Sequence, residues 1–187
     1  MKYCCECGSR LRTPAGRDRL GRRRCEQCGA VFYASPRLGA ACIARWDDEV
    51  LLVRRGADPG YGLWSLPGGF VEARETPGAG ASRELLEEAG VGVEMERPYA
   101  LFRVAAGHQF HVVYLARLCG TGFAPGPEAL EVGLFGETNV PWQRLAFAST
   151  RESLRRYFAD LRDGRFGFLF ADIQPFASAT DGSFEAA

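Results

Sequence analysis

Gly69-Phe70-Val71-Glu72-Ala73-Arg74-Glu75-Thr76-Pro77-Gly78-Ala79-Gly80-Ala81-Ser82-Arg83-Glu84-Leu85-Leu86-Glu87-Glu88-Ala89-Gly90-Val91 is the stretch that decides how the rest of the chain is read. Thr76 suits a helix N-cap, Pro77 the first helical position and Gly90 the C-terminal cap, which predicts a helix over 77–89. Ala81, Leu85 and Ala89 share one face of it at spacing four, the pattern of a buried stripe. Glu84, Glu87 and Glu88 stand at i, i+3 and i+4, so one turn presents three carboxylates together. Like charges at that spacing destabilise an isolated helix by roughly a few tenths of a kcal/mol per pair. A hard cation among them would offset this, and magnesium takes carboxylate oxygens while keeping waters and substrate phosphates as its other ligands. The plainer alternative is a solvated helix face with Arg83 as partial counterion. Just upstream, Trp64-Ser65-Leu66-Pro67-Gly68-Gly69 is a rigid turn that can bring backbone close to a ligand.

The spacing is more specific than the triplet. Gly69, five residues, Glu75, seven residues and then Arg83-Glu84-Leu85-Leu86-Glu87-Glu88-Ala89-Gly90-Val91 resembles the Nudix box at every defining position over 23 residues. The resemblance implies an α+β fold, an α/β/α sandwich with a mixed sheet. It implies that Glu84, Glu87 and Glu88 are catalytic glutamates that bind magnesium or manganese, that Glu75 and Arg83 brace the loop against the helix, and that Gly69 lies beside the substrate. The reaction it implies is hydrolysis of a diphosphate linked to a nucleoside, with water attacking one phosphorus and a nucleoside monophosphate leaving. Metals suit this by neutralising the diphosphate and lowering the pKa of the water. A glutamate takes the proton, either Glu88 or a downstream acid. Arg74 stands where relatives often have Gly, at a variable position, which changes the loop surface and not the chemistry.

Further residues extend this site. Arg54-Arg55 ends a strand leading toward the box, where a guanidinium could grip a phosphate bidentately or merely face solvent. Glu128 and Glu131 match a downstream acidic segment that adds a magnesium ligand in relatives, and either could equally be solvated. His108 and His111 read as strand residues, and Cys42 and Cys119 as small buried apolar groups.

Working outward, strand-like runs cover 40–45, 50–54, 99–105, 110–118 and 133–135, with Asp47-Asp48 as a hairpin turn between the first two. Ser149 is placed to cap a closing helix to Asp163, on which Leu154, Tyr157, Phe158 and Leu161 make a stripe. A mixed α and β domain follows. The chain has 187 residues, 47% of them hydrophobic and 25% charged, which suits a soluble protein with a real core. Lys+Arg and Asp+Glu both number 23, so charge gives no general claim on nucleic acid or a membrane. No apolar run approaches the roughly 20 residues of a membrane span. The start lacks the apolar core of a signal peptide, and a cytoplasmic location is expected.

Five of the seven cysteines fall within the first 28 residues. Cys4-x-x-Cys7 and, 17 residues on, Cys25-x-x-Cys28 put four thiolates within reach of a tetrahedral zinc. Cys5 is the spare. Four cysteines close the coordination shell, so this zinc is structural, and its binding energy is the folding energy of a segment too small for its own core. Arg17, Arg19, Arg22, Arg23 and Arg24 make a basic arm between the pairs. Balanced overall charge favours a solvated arm or a subunit contact, so a homodimer is admitted and nucleic acid is not expected.

The combination is similar to the zinc-ribbon Nudix hydrolases of the ADP-ribose/FAD diphosphatase type, over about residues 3–173. Ala34-Ser35-Pro36-Arg37, Phe123-Ala124-Pro125-Gly126-Pro127-Glu128-Ala129-Leu130-Glu131 and Leu145-Ala146-Phe147-Ala148-Ser149 carry this part of the likeness. The Ser-Gln-Pro-Trp-Pro-Phe-Pro signature of NADH diphosphatases is absent, the region reading Met95 to Phe102, and a proline marker of ADP-ribose diphosphatases is replaced by Gly107. The expected organisation is a zinc ribbon over 1–35, a Nudix domain over 36–175 and a disordered tail over 176–187. The expected substrate is a small nucleoside diphosphate derivative, FAD or ADP-ribose. The alternatives are an NADH or NAD-capped RNA diphosphatase and a non-catalytic nucleotide sensor.

Overall fold

Alternation over 40–45 belongs to a longer strand, Arg37–Trp46, in the computed structural model. The model describes residues 2–11, 22–33, 35–104 and 109–174. Expectations for Arg17, Arg19, Ala34, Gly107, His108 and the 176–187 tail lie outside those residues. The chain divides into two compact units, residues 1–36 and 37–187.

In the first unit, Arg23–Arg24 (β1) pairs antiparallel with Val31–Phe32 (β2). Each CxxC turn closes the same way, Gly8 N–H donating to the Cys4 carbonyl and Gly29 N–H to the Cys25 carbonyl, both at 2.9 Å. Among the described residues its apolar interior is Cys4, Leu11 and Cys25, backed by Ala30 and Phe32.

The second unit is built on an eight-stranded mixed sheet. Arg37–Trp46 (β3) and Glu49–Arg55 (β4) form the expected hairpin, with Asp47 at a φ of 50° in its turn. Trp64–Ser65 (β5), Gly68–Phe70 (β6) and the helix Pro77–Ala89 (α1) come next. Val93–Val104 (β7), Gln109–Leu118 (β8) and Ala129–Phe135 (β9) precede the helix Ala148–Asp163 (α2) and the last strand Leu169–Ile173 (β10). The order is β10-β7-β8-β3-β4-β5, with β6 added to β3 and β9 to β4; the β10–β7 and β3–β8 pairs are parallel.

Side chains alternate across the sheet and separate two cores. Cys42, Leu51, Val53 and Val112 pack with Ala81, Leu85 and Ala89 of α1. Ile43, Leu52, Tyr99 and Phe102 pack with Leu154, Tyr157 and Phe158 of α2. A buried leucine of this kind contributes about 1.5–3 kcal/mol. Tyr99 Oη also donates to Asp160 Oδ2 at 2.9 Å, fixing α2 on β7.

Five readings change. α2 starts at Ala148, its cap residue Phe147 makes no side-chain cap bond, and Ser149 Oγ pairs instead with His111 Nδ1 at 3.1 Å. β7 begins at Val93 and β9 at Ala129, ahead of the runs read from sequence, and β10 was not anticipated. Cys42 is buried as expected, but Cys119 is exposed because β8 ends at Leu118.

The β3–β4 hairpin pairs only at its turn end, Arg45 with Val50 and Trp46 with Glu49. Beyond that the sheet forks. β3 pairs with β6 from Gly39–Phe70 to Ala41–Gly68, while β4 pairs with β5 and β9.

Candidate active site

The α1 caps fall where local chemistry dictates. Thr76 Oγ1 accepts from the Ala79 N–H at 3.2 Å, and Gly90, at a φ of 65°, donates to the Leu86 carbonyl. Burial of Ala81, Leu85 and Ala89 then turns Arg83, Glu84, Glu87 and Glu88 toward β6 and the helix margin.

Arg83 organises this margin. Its Nε and Nη2 donate to the two Glu75 oxygens at 3.1 and 2.9 Å, a bidentate pair. Nη1 donates to Glu84 Oε1 at 3.0 Å and to Glu87 Oε2 at 3.1 Å, and Nη2 reaches the Phe70 carbonyl at 3.3 Å. The guanidinium holds the Glu75 carboxyl down to about 2. Glu75 Oε1 in turn accepts from the Glu72 N–H at 2.9 Å, tying loop to helix. At Gly69 a Cβ would stand 2.3 Å from Glu84 Oε1, so only glycine admits this carboxylate against the strand.

Glu88 is 8% exposed, and its Oε2 accepts from the Gly68 N–H at 3.0 Å. Burial pushes its carboxyl up to about 7, opposed by the Gly68 N–H and by the charge of Arg55. Burial also raises Glu84, against the pull of Arg83, and the charge of Glu128 acts on both glutamates. Glu87 is the outermost of the three, its side chain 60% exposed.

Of the two arginines at the end of β4, Arg55 faces this group. Its Nε donates to the Pro59 carbonyl at 2.8 Å and its guanidinium lies over the Phe147 ring, 5.0 Å from the centroid. Arg54 instead donates to the Gly62 carbonyl at 3.1 Å and pairs with Glu131 at 3.4 Å, its cross-strand partner on β9. Glu131 is therefore engaged by Arg54, and Glu128 is the downstream acid beside the box.

What carries Glu128 there was not apparent from the sequence. The Ala124 N–H donates to the Ala89 carbonyl and the Gly126 N–H to the Glu88 carbonyl, both at 2.9 Å, filling acceptors that α1 leaves open at its C-terminus. Gly126 comes so close that a Cβ would lie 1.8 Å from the Glu87 carbonyl oxygen. On the other side the Gly56 N–H donates to the Glu128 carbonyl at 2.7 Å. The Pro-Gly-Pro run was the only available signal.

Donor geometry differs between the two candidate metal sites. Among the described residues, only Cys4, Cys7, Cys25 and Cys28 bring three or more His, Cys, Asp or Glu ligand atoms within 4.8 Å of one another. Cys4–Cys28 and Cys7–Cys25 sulfurs are 3.6 and 3.7 Å apart. A tetrahedron with Zn–S bonds near 2.3 Å has an edge of about 3.8 Å, so the four thiols fit a zinc ion. The box carboxylates are spread over Arg83 and the Gly68 N–H. An all-oxygen set with no closed cage fits magnesium, which binds through one or two carboxylates plus substrate phosphates.

A forked mixed sheet between two helices, with this loop–helix carboxylate site, defines a Nudix fold, and the sequence pattern of the Nudix domain matches residues 35–161. The chain belongs to the Nudix hydrolase family. The crystal structure of a Nudix hydrolase from Nitrosomonas europaea superposes with a TM-score of 0.85 at 39% identity, covering 93% of this chain and 99% of that one. An ADP-ribose pyrophosphatase of Methanocaldococcus jannaschii is 31% identical over 120 residues, 62% of this chain and 70% of that protein. The NAD-capped RNA hydrolase NudC of Deinococcus radiodurans is 30% identical over 167 residues, 86% of this chain, which spans 58% of that protein. No helix among the described residues is long and apolar enough to cross a membrane.

Proposed function

We propose that the chain hydrolyses the diphosphate of a small nucleoside diphosphate derivative, ADP-ribose or FAD, with magnesium or manganese at Glu84, Glu87, Glu88 and Glu128. The observation that carries this is the carboxylate pair packed into the Gly68–Gly69 turn: Glu88 is buried on the Gly68 N–H, and the Glu84 carboxylate fills the place of a Gly69 side chain. Carboxylates so placed are stabilised by a cation. Divalent metal bound there would neutralise the diphosphate and make water a better nucleophile at neutral pH. Gly68 and Gly69 lay backbone beside the phosphates. Arg55, held through Nε by Pro59 and flattened on Phe147, keeps its terminal nitrogens for phosphate oxygens. Glu88, buried and held on the Gly68 N–H beside the other carboxylates, is placed to receive the proton of the attacking water. Arg83 and Glu75 keep the loop and helix in register.

In ADP-ribose the cleavage yields AMP and ribose 5-phosphate, in FAD it yields AMP and FMN. Likeness to the ADP-ribose pyrophosphatase supports the first substrate, and the 123–131 segment supports both. The experiment is a magnesium-dependent assay on both compounds with Glu88→Gln as control. Survival of both compounds while another diphosphate is cleaved would sink the substrate assignment. A second reading, cleavage of NADH or NAD-capped RNA, is favoured by the NudC likeness extending over 86% of the chain. The residues 95–102 stand against it. We also propose that Cys4, Cys7, Cys25 and Cys28 hold a structural zinc, which requires the reducing cytoplasm for its thiolates.

A further inference from the structure

We propose that Phe70, Arg37 and His111 form a platform that stacks the planar base of the nucleotide, an adenine, one residue beyond the diphosphate site. The inference rests on the diphosphatase reading above and extends it to the organic end of the substrate.

Phe70, Gly39 and His111 are register partners across β6, β3 and β8, so they form one row on the sheet face opposite α1. Gly39, in the middle, contributes no side chain. The His111 ring uses that space, its Cδ2 only 3.2 Å from where a Cβ of residue 39 would stand. Phe70 is 40% exposed, so one part of its ring is open to a ligand. The Arg37 guanidinium lies 3.6 Å from the centroid of that ring. His111 is fixed by both nitrogens, Nδ1 to Ser149 Oγ at 3.1 Å and Nε2 to Gln109 Oε1 at 3.3 Å. Burial lowers its pKa, so at neutral pH it is an uncharged aromatic plane.

The Arg37 guanidinium thus lies on the Phe70 ring, the His111 ring leans across the bare Gly39 position of the same row, and each group is of a kind on which bases stack. Their distance from the chemistry is set rigidly. Phe70 follows Gly69, which touches Glu84, and the Phe70 carbonyl accepts from the same Arg83 that holds Glu84 and Glu87. Nothing in the box spacing requires an aromatic residue at 70. Arg37 adds a positive charge to this row, beside Phe70.

The test compares ADP-ribose with ribose 5-diphosphate, which keeps the anhydride and lacks the base. Phe70→Ala should reduce the preference for ADP-ribose, as the ratio of kcat/KM values, by about tenfold or more, mostly through KM. Phe70→Trp should restore it, which a merely structural role would not predict. AMP binding by calorimetry should weaken about tenfold in Phe70→Ala. Equal losses on both substrates, or no rescue by Trp, would overturn the platform. A wild type inert on both compounds would overturn the diphosphatase reading instead, and unchanged AMP binding in Phe70→Ala would then still decide against the platform.

Discussion

Substituting Gly126 by alanine should uncouple the downstream acid from the box, and the size of the effect follows from the contacts of one loop. The added Cβ would lie 1.8 Å from the Glu87 carbonyl oxygen, where carbon needs roughly 3.3 Å or more. The loop must therefore retreat by about 1.5 Å. Two hydrogen bonds at 2.9 Å, Gly126 to Glu88 and Ala124 to Ala89, are then lost or badly stretched. At about 1 kcal/mol net for each, the loss is about 2 kcal/mol. For a chain of this size that lowers Tm by about 4–8 °C. Glu128 moves with the loop, so hydrolysis should fall and the magnesium needed for half-maximal rate should rise.

Glu128→Gln separates the two consequences. It leaves the backbone clamp intact and removes a negative neighbour of Glu84 and Glu88, so Tm should hold while activity falls as it does in Gly126→Ala. If both act through one carboxylate, the double variant is no less active than the worse single variant. Calorimetry and a magnesium titration of the rate give both readouts. A Gly126→Ala protein with wild-type Tm, or rate losses that multiply in the double variant, would refute the reasoning.

Metal-free stability should depend on Glu88: its carboxyl sits near 7 in the folded state against an ordinary 4.5, so the native protein holds an extra proton between those values and loses stability as pH rises through them. Urea midpoints in chelator at pH 5 and pH 8 should show this slope, and Glu88→Gln should shrink it; an unchanged slope contradicts the assignment. Tyr99→Phe removes the hydroxyl that bonds Asp160, leaving only the Arg156 pair at 2.8 Å, and should cost about 2 kcal/mol by urea titration with no change in kcat; a neutral result would mean the bond contributes nothing. Thiol titration should be stepped: exposed Cys5 and Cys119 react at once, the four clustered cysteines only after zinc is removed, and Cys42, buried and pushed up to about 12, only on unfolding. Six fast thiols would exclude a bound zinc.

The legible parts of this molecule are those governed by near neighbours. Thr76, Pro77 and Gly90 specify α1 to the residue because each cap acts within one turn of its own position. The CxxC turns are local in the same sense. Ser149 misled because its partner His111 lies 38 residues away, and a long-range bond displaced the local cap. β10 escaped notice because Leu169–Ile173 has weak alternation, and its pairing partner is the distant β7. The choice between Glu128 and Glu131 could not be made from spacing. The structure pairs Arg54 with Glu131 beside the irregularity of β4 between Arg54 and Arg55, while the charge of Glu128 acts on Glu84 and Glu88.

The fork in the sheet bears on how fast a substrate can be captured. Gly68–Phe70, which would be a free loop in most turns of its composition, is instead woven into β3 by three residue pairs. A ligand arriving there has little chain to immobilise, so the entropic penalty usually charged to a glycine-rich phosphate loop is met during folding. Association should then be limited by encounter and by the exit of water, with no slow ordering phase in a stopped-flow trace.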